Sequence, residues 1–290
     1  MVLKADIDRV SIHGGHSGQF CCHAKDSLEA VIEAYIQKGF AWVGITEHMP
    51  PTEDLFLYPD ERSFGFNIEK LRLRFDNYIK TCKELQKKYF LKLCIYVGFE
   101  TEAYTGAINY AIELRSRYKP DFIVGSVHHV NDIPFDMGPD QYALALQRTG
   151  GYEELYAAYF DRQHELLRVL KPEVVGHFDL IRIFDANYLE HLLLPLVWKR
   201  ICRNLELIRR EGLILDYNLR ALSKGAAEPY VAAPILKQAL SMGIALVPGD
   251  DSHGVASVAR DYEKGIETLI ASGAPTNWLR PVDVKTAETL

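Results

Sequence analysis

Three of the chain's ten histidines, His13, His16 and His23, fall within one stretch, S-I-H-G-G-H-S-G-Q-F-C-C-H from Ser11 to His23. Neutral imidazole is the commonest metal-ligating side chain, and the Gly14-Gly15 pair lets the backbone fold tightly around an ion. Taken alone, the stretch reads equally well as a polar surface loop that carries histidines. The tie breaks further along, where an apolar run followed by His or a carboxylate recurs. It does so at G-I-T-E-H (44–48), G-F-E (98–100), S-V-H (126–128), V-G-H (175–177) and D-S-H (251–253). Imidazoles with a few carboxylates suit zinc, iron or manganese, and suit calcium poorly. Seven histidines (His13, His16, His23, His48, His128, His177 and His253) with Glu100 and Asp251 exceed the positions around a single ion. Two or three divalent ions are therefore expected, with Glu100 as the bridging carboxylate. Multi-ion sites of this kind lower the pKa of a bound water and clamp the oxygens of an in-line displacement at phosphorus.

The elements that must position these groups alternate along the chain. Asp26-Ser27 forms an N-cap before Leu28, Val31, Ile32 and Tyr35 at helical spacing, and Lys38-Gly39 ends that helix. Ala41 to Ile45 is a short buried strand running into Thr46-Glu47-His48, and Pro50-Pro51 prevents helix directly afterwards. Residues 52–66 read as a long aromatic-rich loop, followed by an amphipathic helix with Ile68, Leu71, Phe75, Tyr78, Ile79, Cys82 and Leu85 on one side. Further strands are predicted at 93–99, 122–127, 174–176, 213–215 and 244–247. Helices are predicted at 106–117, 139–149, 152–170, 188–210, 233–242 and 261–272. Near-continuous apolar strands alternating with helices about seven times signify a parallel sheet covered on both faces. An α/β barrel is the economical closure, with no composition break and no linker, so residues 1–290 are expected to form one domain. In such a barrel the C-terminal ends of the strands share one mouth, and the candidate ligands fall at or just past those ends. By contrast His164 and His191 lie in predicted helices, and His129 must point away from its neighbour His128.

Composition narrows the class. With 290 residues, 48% hydrophobic and 25% charged, the chain can bury a sizeable core. A net charge of −6 with Lys and Arg dispersed gives no basic field for nucleic acid. No run of apolar residues is long enough to span a membrane, and the first residues lack a signal-peptide core. Five cysteines without a C-x-x-C suggest a reduced, cytoplasmic protein. Cys21 and Cys22 are read as packing residues, with membership of the metal loop as the alternative. The sequence leaves the oligomeric state undetermined.

The motifs T-E-H (46–48), G-F-E (98–100), S-V-H (126–128), V-G-H (175–177) and D-S-H (251–253), with the His-rich first loop, resemble the polymerase and histidinol phosphatase (PHP) family of metal-dependent phosphoesterases. They keep the family's order over nearly the whole chain. G-H-F-D-L-I-R (176–182), L-D-Y-N (215–218) and T-E-H-M-P-P (46–51) are similar to its histidinol-phosphate phosphatase branch. The resemblance implies a single distorted (β/α)7 TIM-like barrel holding three ions at the C-terminal ends of the strands. His13, His16, Glu100 and Asp251 would hold the first, Glu100, His128 and His177 the second, and His23, His48 and His253 the third. One departure is present. The family's opening pair is His-x-His with a third His six residues on, whereas here it is His-Gly-Gly-His with His23 seven residues after His16. The longer loop leaves open a different metal preference or an altered third position.

The implied activity is hydrolysis of a small phosphate monoester, foremost L-histidinol phosphate in histidine biosynthesis. Glu100 and Asp251 would serve the reaction as ligands. Arg182, just past the fifth strand, would grip the phosphate bidentately, with Arg220 as a second candidate. Asp251, a histidine or a metal-bound water could protonate the leaving alkoxide. Specificity is assigned to the 52–66 loop and to Asp132 or Asp136. The alternatives are another ester, such as a nucleotide or phosphotyrosine, or a non-catalytic metal-binding module. Because histidine ligands must be neutral, activity and metal content are expected to fall together below pH ~6.5.

Overall fold

The computed structural model describes residues 7–284. The first part of the chain forms β1 (Arg9–Gly14), α1 (Leu28–Gln37), β2 (Phe40–Ile45), α2 (Pro59–Ser63), α3 (Ile68–Tyr89), β3 (Cys94–Val97) and α4 (Ala107–Tyr118). Next come β4 (Val124–Gly125), β5 (His129–Val130), β6 (Ile133–Pro134), α5 (Pro139–Thr149), α6 (Tyr152–Leu170) and β7 (Val174–Val175). The last part holds α7 (Tyr188–Leu192), α8 (Pro195–Glu211), β8 (Ile214–Asn218), α9 (Arg220–Ser223), α10 (Ala233–Ser241), β9 (Leu246–Gly249) and α11 (Tyr262–Ala271). None of these helices is long and apolar enough to cross a membrane.

Local chemistry accounts for the boundaries, including those the periodicity misplaces. The Ser27 side chain accepts from the Ala30 N–H at 3.2 Å and opens α1. The expected helix over 188–210 is two helices, because Pro195 cannot continue α7 but suits the first turn of α8. Pro59 likewise starts the short α2 inside the segment expected to be loop. Residues 129–134 form an antiparallel hairpin. Asn131 and Asp132 take positive φ at its tip, as a two-residue turn demands.

The fold is α/β with parallel sheets. One sheet has the order β1-β2-β3, the other β4-β7-β8-β9, and all pairs within them are parallel. Among the described residues the ladders do not close into a barrel. Short contacts span the two gaps: Glu100 bridges to His48 and to Val124, and the Asp251 N–H donates to the His13 carbonyl at 2.8 Å.

A second, smaller core lies between the strands. Val10, Ile12, Trp42, Tyr96, Val124, Val174, Ile214 and Val247, drawn from all seven parallel strands, pack with Phe122 into one cluster. The larger cluster lies between strands and helices and takes the apolar face of α3, including Phe75, Tyr78, Ile79 and Cys82. Phe122 is 1% exposed, and a Cβ on Gly44 or Gly98 would come within 2.6 or 2.7 Å of its ring. Those two glycines make room for the ring that fills the space beneath the strand ends. Phe122→Ala is expected to cost about 3–5 kcal/mol, read as a lower urea midpoint with an unchanged slope.

Candidate metal centre

At the C-terminal ends of the parallel strands the polar residues converge around Glu100. β1 delivers His13 after a register shift between Ser11 and Gly14, an irregularity that re-aims a side chain. Gly15 then turns the chain with φ +77°, a conformation that favours glycine, and brings His16 back over the strand ends. Just past β2, β3 and β7 come His48, Glu100 and His177, and the loop after β9 contributes Asp251 and His253. His177 (φ 21°) and Asp251 (φ 45°) both hold left-handed backbone, which costs roughly 1–3 kcal/mol each and is tolerated where the surroundings over-determine a site.

The two oxygens of Glu100 face different sets of imidazoles. Oε1 lies 2.8 Å from His177 Nε2 and 3.3 Å from His128 Nε2. Oε2 lies 3.3 Å from His13 Nε2, 3.7 Å from His16 Nε2 and 3.4 Å from His48 Nδ1. Asp251 Oδ1 is 3.4 Å from His16 Nε2. Ligand atoms converge in several overlapping groups: His13, His16 and Asp251; His13, Glu100 and His177; His16, His48 and Glu100; His48, Glu102 and His128; and Cys21, His23, His48 and His253.

Divalent cations fit this set. His13 Nε2 and both ring nitrogens of His16 are buried without a hydrogen-bond partner. His128 Nε2 and His177 Nε2 face each other at 3.3 Å. Converging imidazole lone pairs in a buried site are what a cation satisfies.

A second tier of carboxylates orients the imidazoles, as is usual around metals. His13 Nδ1 is 2.8 Å from Asp216 Oδ2, which also accepts from Asn218 Nδ2 at 2.9 Å. His128 Nδ1 is 2.9 Å from Glu102 Oε2, itself an acceptor for the Tyr58 hydroxyl at 2.8 Å. His16 Nδ1 faces Glu47, whose other oxygen accepts from both the backbone N–H and the hydroxyl of Ser17. Glu102 was legible as the next same-face residue after Glu100, and Asp216 as a strand-end carboxylate.

In the metal-free chain this ring of carboxylates governs protonation. Burial opposes charge on His13, but Glu100, Asp251 and Asp216 outweigh it and raise its pKa well above the ordinary value. For His16 burial is overcome by the nearby carboxylates of Asp251 and Glu47, and the pKa rises to about 9. Burial likewise opposes, and Glu102 and Glu100 reverse, the shift of His128, which ends well raised. His253 is driven well below its ordinary value by burial and by His16. Burial alone would raise Glu100 and Asp251, yet the surrounding histidines hold both well below the carboxylate range.

Above the centre is a cavity of about 140 Å³, lined by His23, His48, His128, His177, Asp251 and His253 and by Tyr58, Asp136, Arg220, Lys224 and Tyr230. Arg220 Nε is buried there without a partner. Lys224, just after α9, has no motif to reveal it in the sequence. The expectation for Arg182 needs correcting. Its Nε pairs with Asp179 at 2.9 Å, its Nη2 donates to the carbonyls of Glu228 and Pro229, and Tyr188 and Tyr230 cover its guanidinium. It does not line the cavity, because its donors pin the segment carrying Tyr230. Asp132 is likewise turned away and accepts from Thr105, whereas Asp136 lines the cavity. His129 joins none of the ligand groups and packs on Tyr58 and Tyr104. His191, stacked on Tyr152, and His164, in α6, also lie outside them.

This constellation on parallel strand ends defines a site of several ligand groups suited to divalent cations. The profile of the PHP domain family matches residues 14–220, and the chain belongs to that family. It is 37% identical over 257 residues to a Schizosaccharomyces pombe protein named "Probable histidinol-phosphatase", covering 87% of this chain and 83% of that one. It is 32% identical over 286 residues to the histidinol-phosphatase of Saccharomyces cerevisiae, covering 87% and 85%. The crystal structure of a Lactococcus lactis histidinol phosphate phosphatase complexed with zinc, L-histidinol and phosphate superposes with a TM-score of 0.71. At 16% identity and with 96% and 99% of the two chains covered, that likeness shows the fold.

Metal binding must displace the protons that the raised histidines hold. Uptake of zinc by metal-free protein at pH 7 is therefore expected to release protons, measurable in weakly buffered solution. The raised His16 stabilises the metal-free fold below pH ~6.5, and this is lost as pH climbs towards about 9. Melting temperatures of metal-free protein should accordingly fall across that window, and those of zinc-loaded protein should not.

Proposed function

We propose that this protein hydrolyses L-histidinol phosphate to L-histidinol and inorganic phosphate in histidine biosynthesis. The observation that carries the reading is Glu100, one buried carboxylate whose two oxygens face separate histidine sets beneath a cavity with a cationic rim. The similarity of the chain, over most of its length, to proteins named histidinol-phosphatase supports the substrate. In this reading residues 1–290 form one domain, and the seven parallel strands are a distorted, incompletely closed (β/α)7 barrel.

Two to three divalent ions, of zinc, iron or manganese, belong to the same proposal. His13, His16, Glu100 and Asp251 would hold one, Glu100, His128 and His177 the second, and His23, His48 and His253 the third. Such ions neutralise developing charge on phosphate oxygens and lower the pKa of water. The chain's own residues do the rest. Arg220 and Lys224 draw the phosphate dianion to the cavity, and Arg220, with an uncommitted donor, orients it. Asp136, on the same cavity, faces the cationic end of the substrate. Glu100 and Asp251, kept anionic by their histidines, act as ligands and are not proton donors. Cytoplasmic residence is supported by the unpaired state of Cys21, Cys22, Cys82, Cys94 and Cys202.

Phosphate release from histidinol phosphate, measured beside nucleotide and phosphotyrosine esters with metal content on the same sample, tests the substrate. A strong preference for histidinol phosphate is the expected outcome, and equal rates across the panel would refute the assignment. The two arginines separate by readout. Arg220→Ala should raise KM at unchanged metal content and melting temperature. Arg182→Ala strands Asp179 in the interior and should lower stability by about 3–5 kcal/mol.

A further inference from the structure

Cys21 sits two residues before His23 in the extended first loop. It is 5% exposed, and its backbone N–H donates to the Ser17 carbonyl at 2.8 Å, turning the side chain inward. Its Sγ lies 3.2 Å from His23 Nε2. One ligand atom from each of Cys21, His23, His48 and His253 lies within 4.8 Å of all the others. Two of the three imidazoles are already oriented. His23 Nδ1 faces Asp60 at 3.2 Å, and His253 Nδ1 donates to the Asp251 carbonyl at 2.9 Å, so both leave Nε2 for the cluster. In a tetrahedral zinc site with bonds of about 2.3 Å to sulfur and 2.0 Å to nitrogen, sulfur and nitrogen stand about 3.5 Å apart. The sulfur of Cys22 provides the contrast: it accepts from Arg74 and belongs to no ligand group.

We propose that the Cys21 thiolate is a fourth protein ligand for the ion held by His23, His48 and His253, making that position a closed site of one sulfur and three nitrogens. This rests on the metal-centre reading above. On ligation the thiol proton passes to solvent and a sulfur–metal bond forms, with no change of oxidation state. A thiolate favours zinc over manganese. Three protein ligands leave a catalytic zinc an open place for water, whereas four fill it. The ion at this position therefore fastens the first loop, and water activation belongs to the positions around Glu100. The packing role expected for Cys21 gives way to ligation.

The test loads metal-free full-length protein with cobalt(II), recording absorbance and bound cobalt together. Wild type and Cys22→Ser should show a near-ultraviolet sulfur-to-cobalt charge-transfer band. Cys21→Ser should lose the band and up to one bound ion while keeping the rest. X-ray absorption of the zinc-loaded wild type, which needs no variant to fold, should show a sulfur neighbour at about 2.3 Å. Bound cobalt without the band, a band surviving Cys21→Ser, or zinc without a sulfur neighbour overturns the thiolate while the metal centre stands. Failure to bind either metal overturns the metal-centre reading and the thiolate with it.

Discussion

One buried carboxylate sets the terms for the rest of the molecule. Glu100 is 1% exposed, and an isolated carboxylate there would carry a desolvation cost of several kcal/mol. It remains charged because five imidazoles surround it, two on one oxygen and three on the other. Those imidazoles in turn need a cation or protons, since each would otherwise turn a lone pair towards a neighbour. The outer carboxylates Asp216, Glu47 and Glu102 complete the balance by fixing which nitrogen of His13, His16 and His128 faces inward. Acidic and basic groups thus come as an interlocked set, and losing one leaves its partner buried and uncompensated.

The fold serves this set by holding strand ends at fixed spacing. Glu100 itself bridges the end of one sheet to the start of the other, pairing with both His48 and Val124. On the opposite side the Asp251 N–H to His13 carbonyl bond does the same work. The two gaps in the ladders therefore lie where ligands enter, and irregular backbone there frees side chains that a continuous ladder would point elsewhere. Beneath, the cluster around Phe122 fills the space between the strands, so the centre rests on packed apolar residues. Rigidity of that floor matters because ligand positions tolerate little drift.

Much of this was legible in the sequence because the signals are local. Apolar runs of three to seven residues marked the strands, the i, i+3, i+4 pattern marked α3, and a polar residue at each strand end marked the mouth. His13, His16, His48, Glu100, His128, His177, Asp251 and His253 converge as that logic expects. The errors have equally specific causes. Periodicity passed over Pro195 and fused two helices. Position alone suggested that Arg182 would reach the substrate, but its direction depends on Asp179 and on a segment nearly fifty residues away. Lys224 carried no pattern, and Cys21 stood between packing and the metal loop because His48 and His253 come from distant parts of the chain.

The sequence by itself determined the chemical class: which residue types are present, that they sit at strand ends, and that they exceed the needs of one ion. These follow from short-range periodicity and from counting, and neither requires a fold. Tertiary structure alone decided which nitrogen faces which oxygen, which arginine is free and which is committed, and that a cysteine turns towards three histidines. Such choices rest on directions, and on differences in distance of a few tenths of an ångström, between groups far apart in the chain. Spacing along a sequence does not encode those quantities; only the packing of the elements against one another fixes them.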